Sequence, residues 1–97
     1  MHFEKERVEE IKNKNDIVDV ISNYLELEMR EDSYLGKCPF HESQSVMFSV
    51  SPQKQTYYCS ECGAGGNVIT FIMEHNKCSF VEAVRFLEER IDLNYNV

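Results

Sequence analysis

Two residue pairs in this sequence have the types and spacing to hold a metal. Cys38 and His41 are separated by Pro39-Phe40, and Cys59 and Cys62 by Ser60-Glu61, with seventeen residues between the pairs. A two-residue spacing lets one tight turn aim both side chains at a single point. Three thiolates and one imidazole form a closed tetrahedral set, with bonds of ~2.3 Å to sulfur and ~2.0–2.1 Å to nitrogen. Zinc suits this set, because it imposes no geometry of its own and accepts mixed sulfur and nitrogen donors. With every position filled by protein, one zinc here is structural and leaves no place for water or substrate. The competing reading is a redox pair at Cys59 and Cys62, which leaves Cys38 and His41 without a role. Cys78 lies outside both pairs and reads as a small apolar filler. His2 and His75 read as ordinary surface or core histidines.

The elements around the pairs must bring them together. Residues 3–14 read as a short charged helix, with Phe3, Val8 and Ile11 on one face. Asp16 is a candidate N-cap for a second helix over 16–22. The β-branched run Ile17-Val18-Asp19-Val20-Ile21 also suits a strand; the cap and the shared face of Ile17, Val20 and Ile21 favour helix. From Tyr24 to Met29 polar and apolar residues alternate, the period of a half-buried strand. Glu31-Asp32-Ser33 is a turn, and Tyr34–Cys38 returns as its hairpin partner and delivers the first ligand. Met47–Val50 and Gln55–Cys59 form a second hairpin around Ser51–Lys54 and deliver the second pair. The span 24–63 therefore reads as a zinc ribbon, with metal tying two hairpin ends together.

The glycines Gly63, Gly65 and Gly66 read as a loop that matches neither common phosphate-binding pattern. Helices over 67–76 and 79–91 follow. The first is apolar around most of its circumference, so it should be well buried. The second opens on a capping box, Ser79 to Glu82, and should turn Phe80, Ala83, Val84, Leu87 and Ile91 inward. The expected fold is a single α+β domain over 1–97. It is a small antiparallel sheet of about four to five strands with two N-terminal and two C-terminal helices.

Composition narrows the function. A chain of 97 residues has a limited core and gains from a metal. No apolar run reaches the ~18 residues of a membrane span. The first residues lack the apolar segment of a signal peptide, so the cytosol, where thiols stay reduced, is the expected location. The net charge of −7 is spread along the chain, and no segment is a basic stripe. Contact with DNA must then be local or lean on another domain. No nucleophile has a paired base, and carboxylate pairs such as Glu88-Glu89 read as solvated helix faces.

The small sheet is rich in aromatics: Tyr34, Phe48, Tyr57 and Tyr58. Half of each strand must face the core, so about two of these four should be core residues. Exposed ones could stack unpaired bases, worth roughly 1–3 kcal/mol per base. Arg30, Lys37 and Lys54 lie on or beside the same strands. The candidate contacts to single-stranded DNA are Arg30, Tyr34, Lys37, Phe48, Lys54 and Tyr57.

Taken together, Tyr34–His41, Phe48–Pro52 and Lys54–Gly66 resemble the N-terminal zinc-binding domain of bacterial DnaG-type DNA primases. Asp16–Ile21 and Phe80–Val84 are also similar to that family. The resemblance implies a Cys-His-Cys-Cys zinc ribbon that binds single-stranded template and supports the start of RNA primers in DNA replication. It implies as partners a polymerase domain in cis or in trans and the replicative helicase. Primer synthesis itself belongs, in the family, to the polymerase domain, which uses acidic residues and divalent metal. These 97 residues carry no such domain and look like an excised module or a stand-alone relative. Two positions depart from the family pattern. Gln44-Ser45-Val46-Met47-Phe48 replaces the usual Lys-Thr-Pro-Ser-Phe, and Glu31-Asp32-Ser33 replaces a basic turn. A protein-interaction module of a mobile element, without primase activity, is the alternative that these losses suggest.

Overall fold

Asp16 decides the first ambiguity. In the computed structural model, which describes residues 4–42 and 46–95, its carboxylate accepts the Asp19 N–H at 3.1 Å and opens a helix, not a strand. This helix, α2 (Ile17–Ser22), buries Ile17, Val20 and Ile21. Before it, α1 (Lys5–Asn13) is slightly shorter than expected and buries Ile11, with Val8 packed beside it. Phe3 lies outside the described residues.

The alternating stretch after α2 is mostly not a strand. The Tyr24 and Leu25 N–H groups donate back to Ile21 O at 2.9 and 3.2 Å, which continues the turn off the helix. Leu25 and Leu27 do pack against the core, as the alternation requires. Pairing starts only at β1 (Glu28–Arg30), opposite Leu35, although its partner β2 (Ser33–Gly36) runs one residue further. The remaining strands are β3 (Phe48–Ser51), β4 (Thr56–Cys59) and β5 (Gly65–Gly66). They form one antiparallel sheet in sequence order, β1-β2-β3-β4-β5. The two-glycine strand β5, read from sequence as loop, pairs Tyr57 with Gly66 and Tyr58 with Gly65.

Register fixes which side chains face inward. Tyr34, Val50, Tyr57 and Gly66 lie in one row across the sheet, and Leu35, Ser49, Tyr58 and Gly65 in the next. The first row and its neighbours Phe48 and Cys59 face the helices; Phe48, Val50 and Cys59 are fully buried. The second row faces away. Gln55, at a left-handed φ of 55°, closes the β3–β4 turn. Its side chain donates to Asp16 Oδ1 at 3.0 Å and accepts the Ile17 N–H at 2.9 Å, which fastens the hairpin tip to α2.

Asn67 caps α3 (Val68–Asn76) by accepting the Thr70 N–H at 3.0 Å. As its apolar circumference demands, α3 lies between the sheet and α4 (Phe80–Tyr95), burying Val68, Ile69, Phe71 and Ile72. The capping box forms: Ser79 N–H donates to Glu82 Oε1 at 2.9 Å, and Glu82 N–H to Ser79 Oγ at 3.2 Å. Ala83, Val84, Leu87 and Ile91 are buried, but Phe80 is 45% exposed. It stands on the first turn of α4, ahead of the stretch that packs inward. Each aliphatic side chain fully buried in this core contributes about 1.5–3 kcal/mol relative to exposure.

Candidate metal centre

Cys38 emerges just beyond the end of β2, and the Phe40 N–H points back at its sulfur, 3.4 Å away. The Phe40 ring anchors this turn in the core, against Phe71 at 5.5 Å, Tyr57 at 5.9 Å and Phe48 at 6.2 Å. Cys59 ends β4, where its N–H donates to Ala64 O at 2.8 Å. The turn after it is closed by Gly63 N–H donating to Cys59 O at 2.8 Å. Gly63 takes φ 80°, which a residue with a side chain adopts only at a cost. Both turns thus sit at strand ends with fixed backbones, and their ligands converge.

Cys38, His41, Cys59 and Cys62 each offer one donor atom, and these atoms all lie within 4.8 Å of one another. The Cys38 and Cys62 sulfurs are 3.8 Å apart. Two ~2.3 Å bonds at a tetrahedral angle place sulfurs ~3.8 Å apart, so the pair fits zinc. His41 Nδ1 is buried and has no hydrogen-bond partner among the described residues, as a nitrogen lone pair reserved for a metal would be. Without metal the thiols are uneven. Burial pushes Cys38 up to about 12. Burial also acts against the Cys59 thiolate, but N–H groups of Cys62 and Glu61 and the neighbouring thiols outweigh it and hold Cys59 below the ordinary thiol range.

The other candidates separate cleanly. The Cys78 sulfur lies 3.8 Å from Ile72 O, outside the cluster. His75 stacks on Phe71 with ring centroids 5.5 Å apart. His2 lies outside the described residues. Among the expected DNA contacts, Arg30, Lys37 and Lys54 are exposed, with Arg30 3.3 Å from Glu28. Phe48 and Tyr57 are corrected: they are 0% and 2% exposed and pack on Phe71, so no base can reach their faces. Tyr34 shares their side of the sheet and is half-buried against the core. The exposed strand aromatic is Tyr58, at 53%. Strand alternation counted back from Cys59 would have found it: if the ligand faces inward, so does Tyr57, and Tyr58 faces out.

Comparison with known proteins agrees with this geometry. The CHC2 zinc finger family matches residues 3–97. A DNA primase of Listeria innocua is 42% identical over 96% of this chain and 15% of its own length. A DNA primase of Staphylococcus epidermidis is 43% identical over the whole chain and 16% of its own length. The chain therefore spans about one sixth of such relatives. The crystal structure of the Aquifex aeolicus primase, containing zinc-binding and RNA polymerase domains, superposes with a TM-score of 0.83 at 42% identity, over 87% of this chain and 21% of that one. Cys38, His41, Cys59 and Cys62 hold one structural zinc, and the chain belongs to the CHC2 zinc finger family, as a zinc-binding domain of the DNA primase kind.

Proposed function

We propose that this domain holds single-stranded DNA template on the outward face of its sheet and supports the start of RNA primer synthesis by a polymerase domain. The observation that carries this reading is the face itself. Arg30, Ser33, Ser51 and Thr56 form one outward row, and Leu35, Ser49 and Tyr58 the next. Small hydroxyl side chains leave strand backbone approachable, and Tyr58 offers a ring on which a base can stack. Cations stand at both ends: Lys37 toward the metal, Arg30 and Lys54 at the far end. Beside Thr56, Lys54 shares a cleft of about 410 Å³ with Asn13, Asn67 and the Lys12–Glu9 ion pair (3.2 Å), and can meet a backbone phosphate there. The zinc fixes both hairpins and so holds this face in one shape. The Aquifex relative carries an RNA polymerase domain in the same chain, and such a domain supplies the catalysis in this reading.

The test is titration of labelled single-stranded DNA into the zinc-loaded domain at low salt, with and without a primase polymerase domain. Tyr58→Ala is expected to weaken binding by about 1–3 kcal/mol. Lys54→Ala is expected to weaken it and reduce the slope of log K against log salt by about 0.7. Binding that is undetectable at low salt and unaffected by the polymerase domain overturns the proposal. So does recovery of protein partners alone, insensitive to nuclease.

A further inference from the structure

His41 has two ring nitrogens, and they stand in different surroundings. Nε2 lies 3.5 Å from Glu61 Oε1. Nδ1 is buried and unpartnered among the described residues. Glu61 belongs to the other half of the metal site, the Cys59–Cys62 turn, whose backbone is held by Gly63 N–H on Cys59 O and by Ser60 N–H on Met47 O at 3.4 Å. The carboxylate is thus carried to the imidazole by the same turn that carries two of the thiolates.

We propose that Glu61 is a positioning residue for the zinc site: it accepts a hydrogen bond from His41 Nε2–H and thereby selects Nδ1 as the metal ligand. A neutral imidazole has one N–H and one lone pair. Placing the N–H toward Glu61 leaves the lone pair on Nδ1, the nitrogen with no other partner. A metal-bound histidine ordinarily donates its second nitrogen to a carboxylate, carbonyl or water, which fixes ring orientation and strengthens the donor. The present 3.5 Å is longer than a formed charge-assisted bond. With the metal held, it must close to the ~2.8 Å of such a bond. The opposite choice, Nε2 on the metal, would leave Nδ1–H buried without an acceptor and bring the carboxylate against a centre that already carries net negative charge, since three thiolates exceed the charge of one zinc ion.

The inference rests on zinc occupying the site, which stoichiometry checks first: one zinc per chain under reducing conditions. The tautomer is then read on the unmutated protein. With nitrogen-15-labelled histidine and cadmium-113 in place of zinc, coupling from the metal to Nδ1 and a proton retained on Nε2 are expected. Coupling to Nε2 overturns the proposal whether or not any variant folds. Competition with a chromophoric chelator gives the second reading. Glu61→Ala is expected to weaken zinc binding about 10–100-fold. Glu61→Gln, which keeps an acceptor oxygen, is expected to recover most of that loss and keep the same nitrogen on the metal. A Glu61→Ala protein that binds zinc as tightly as the original, or a Glu61→Gln protein as weak as the alanine variant, overturns it.

Discussion

Asn15 is buried in the loop between α1 and α2, and its side-chain nitrogen donates to Leu87 O at 3.0 Å, seventy-two residues along the chain. The same nitrogen donates to Ile11 O at 2.9 Å. One amide therefore closes α1 and ties it to the middle of α4. Arg7 adds a second tie between these helices, donating to Glu88 through Nε at 3.2 Å and Nη2 at 2.7 Å. Asn15→Ala is expected to cost about 1–3 kcal/mol, because buried carbonyls lose a donor. Asn15→Asp should cost at least as much despite its equal size, since a carboxylate cannot donate to them. Urea unfolding of the zinc-loaded domain checks both: the midpoint falls while the denaturant slope stays unchanged.

Gly66 meets the start of α3 at close quarters. It takes φ 152°, and a Cβ placed there would come 2.7 Å from Thr70 Cβ. Gly66→Ala is expected to destabilise by about 1–3 kcal/mol through strained backbone alone, with the contact adding to this. Thr70→Ala removes Cγ2 and Oγ1, each 2.8 Å from the added atom, but leaves Cβ in place. The double variant should therefore recover only part of the loss, which a thermal unfolding cycle of the four proteins would measure. Full recovery would show that the backbone angle carries none of the cost.

The metal pairs were legible in sequence because each pair is local: two residues of spacing dictate one turn. The capping residues Asp16 and Ser79 were legible for the same reason, since each makes its bond within three residues. What failed to read depends on partners far along the chain. Tyr57 and Tyr58 are adjacent and chemically identical, and alternation separates them only once Cys59 is taken to face inward; the register against Val50 and Ser49 fixes that face. The alternation from Tyr24 to Met29 marks burial of Leu25 and Leu27 correctly, yet a strand needs free backbone groups, and the Tyr24 and Leu25 N–H groups are committed to Ile21 O. Gly65 and Gly66 carry no side-chain pattern, so nothing in their composition reveals the fifth strand.

The capping box at Ser79 gives a pH dependence whose sign is fixed. The Ser79 N–H and then its hydroxyl hold the Glu82 carboxyl below the usual carboxylate range. A group depressed in the folded state contributes stability above its unfolded-state pKa and loses it as pH falls through the folded value. The contribution to α4 should accordingly be intact at neutral pH and fade in acid. Ser79→Ala removes one of the two bonds, so the Glu82 carboxyl should titrate at higher pH than in the original protein, followed by carbon-13 NMR of its side chain. An unchanged titration would mean that the Ser79 hydroxyl does not act on Glu82.

Zinc removal should be felt first where the two ligand turns meet. Binding free energy in comparable small zinc peptides is on the order of 10–16 kcal/mol, and in such domains it is folding free energy. Chelation should therefore lower the thermal midpoint and release the amides of 38–41 and 59–63 to hydrogen exchange. Helices α3 and α4, which pack together and bury Ile72, Val84 and Leu87, should exchange later. Cys62→Ser should reproduce the effect, since Cys62 is the exposed ligand and its loss leaves the packing of Cys38 and Cys59 in place. An ordinary thiol is protonated at neutral pH, and burial raises the metal-free Cys38 further, so loading must release that proton, and zinc affinity should rise with pH through the neutral range. Calorimetry in buffers of different ionisation enthalpy counts the protons released. A thermal midpoint indifferent to chelator would show that the metal does not hold the two hairpins together.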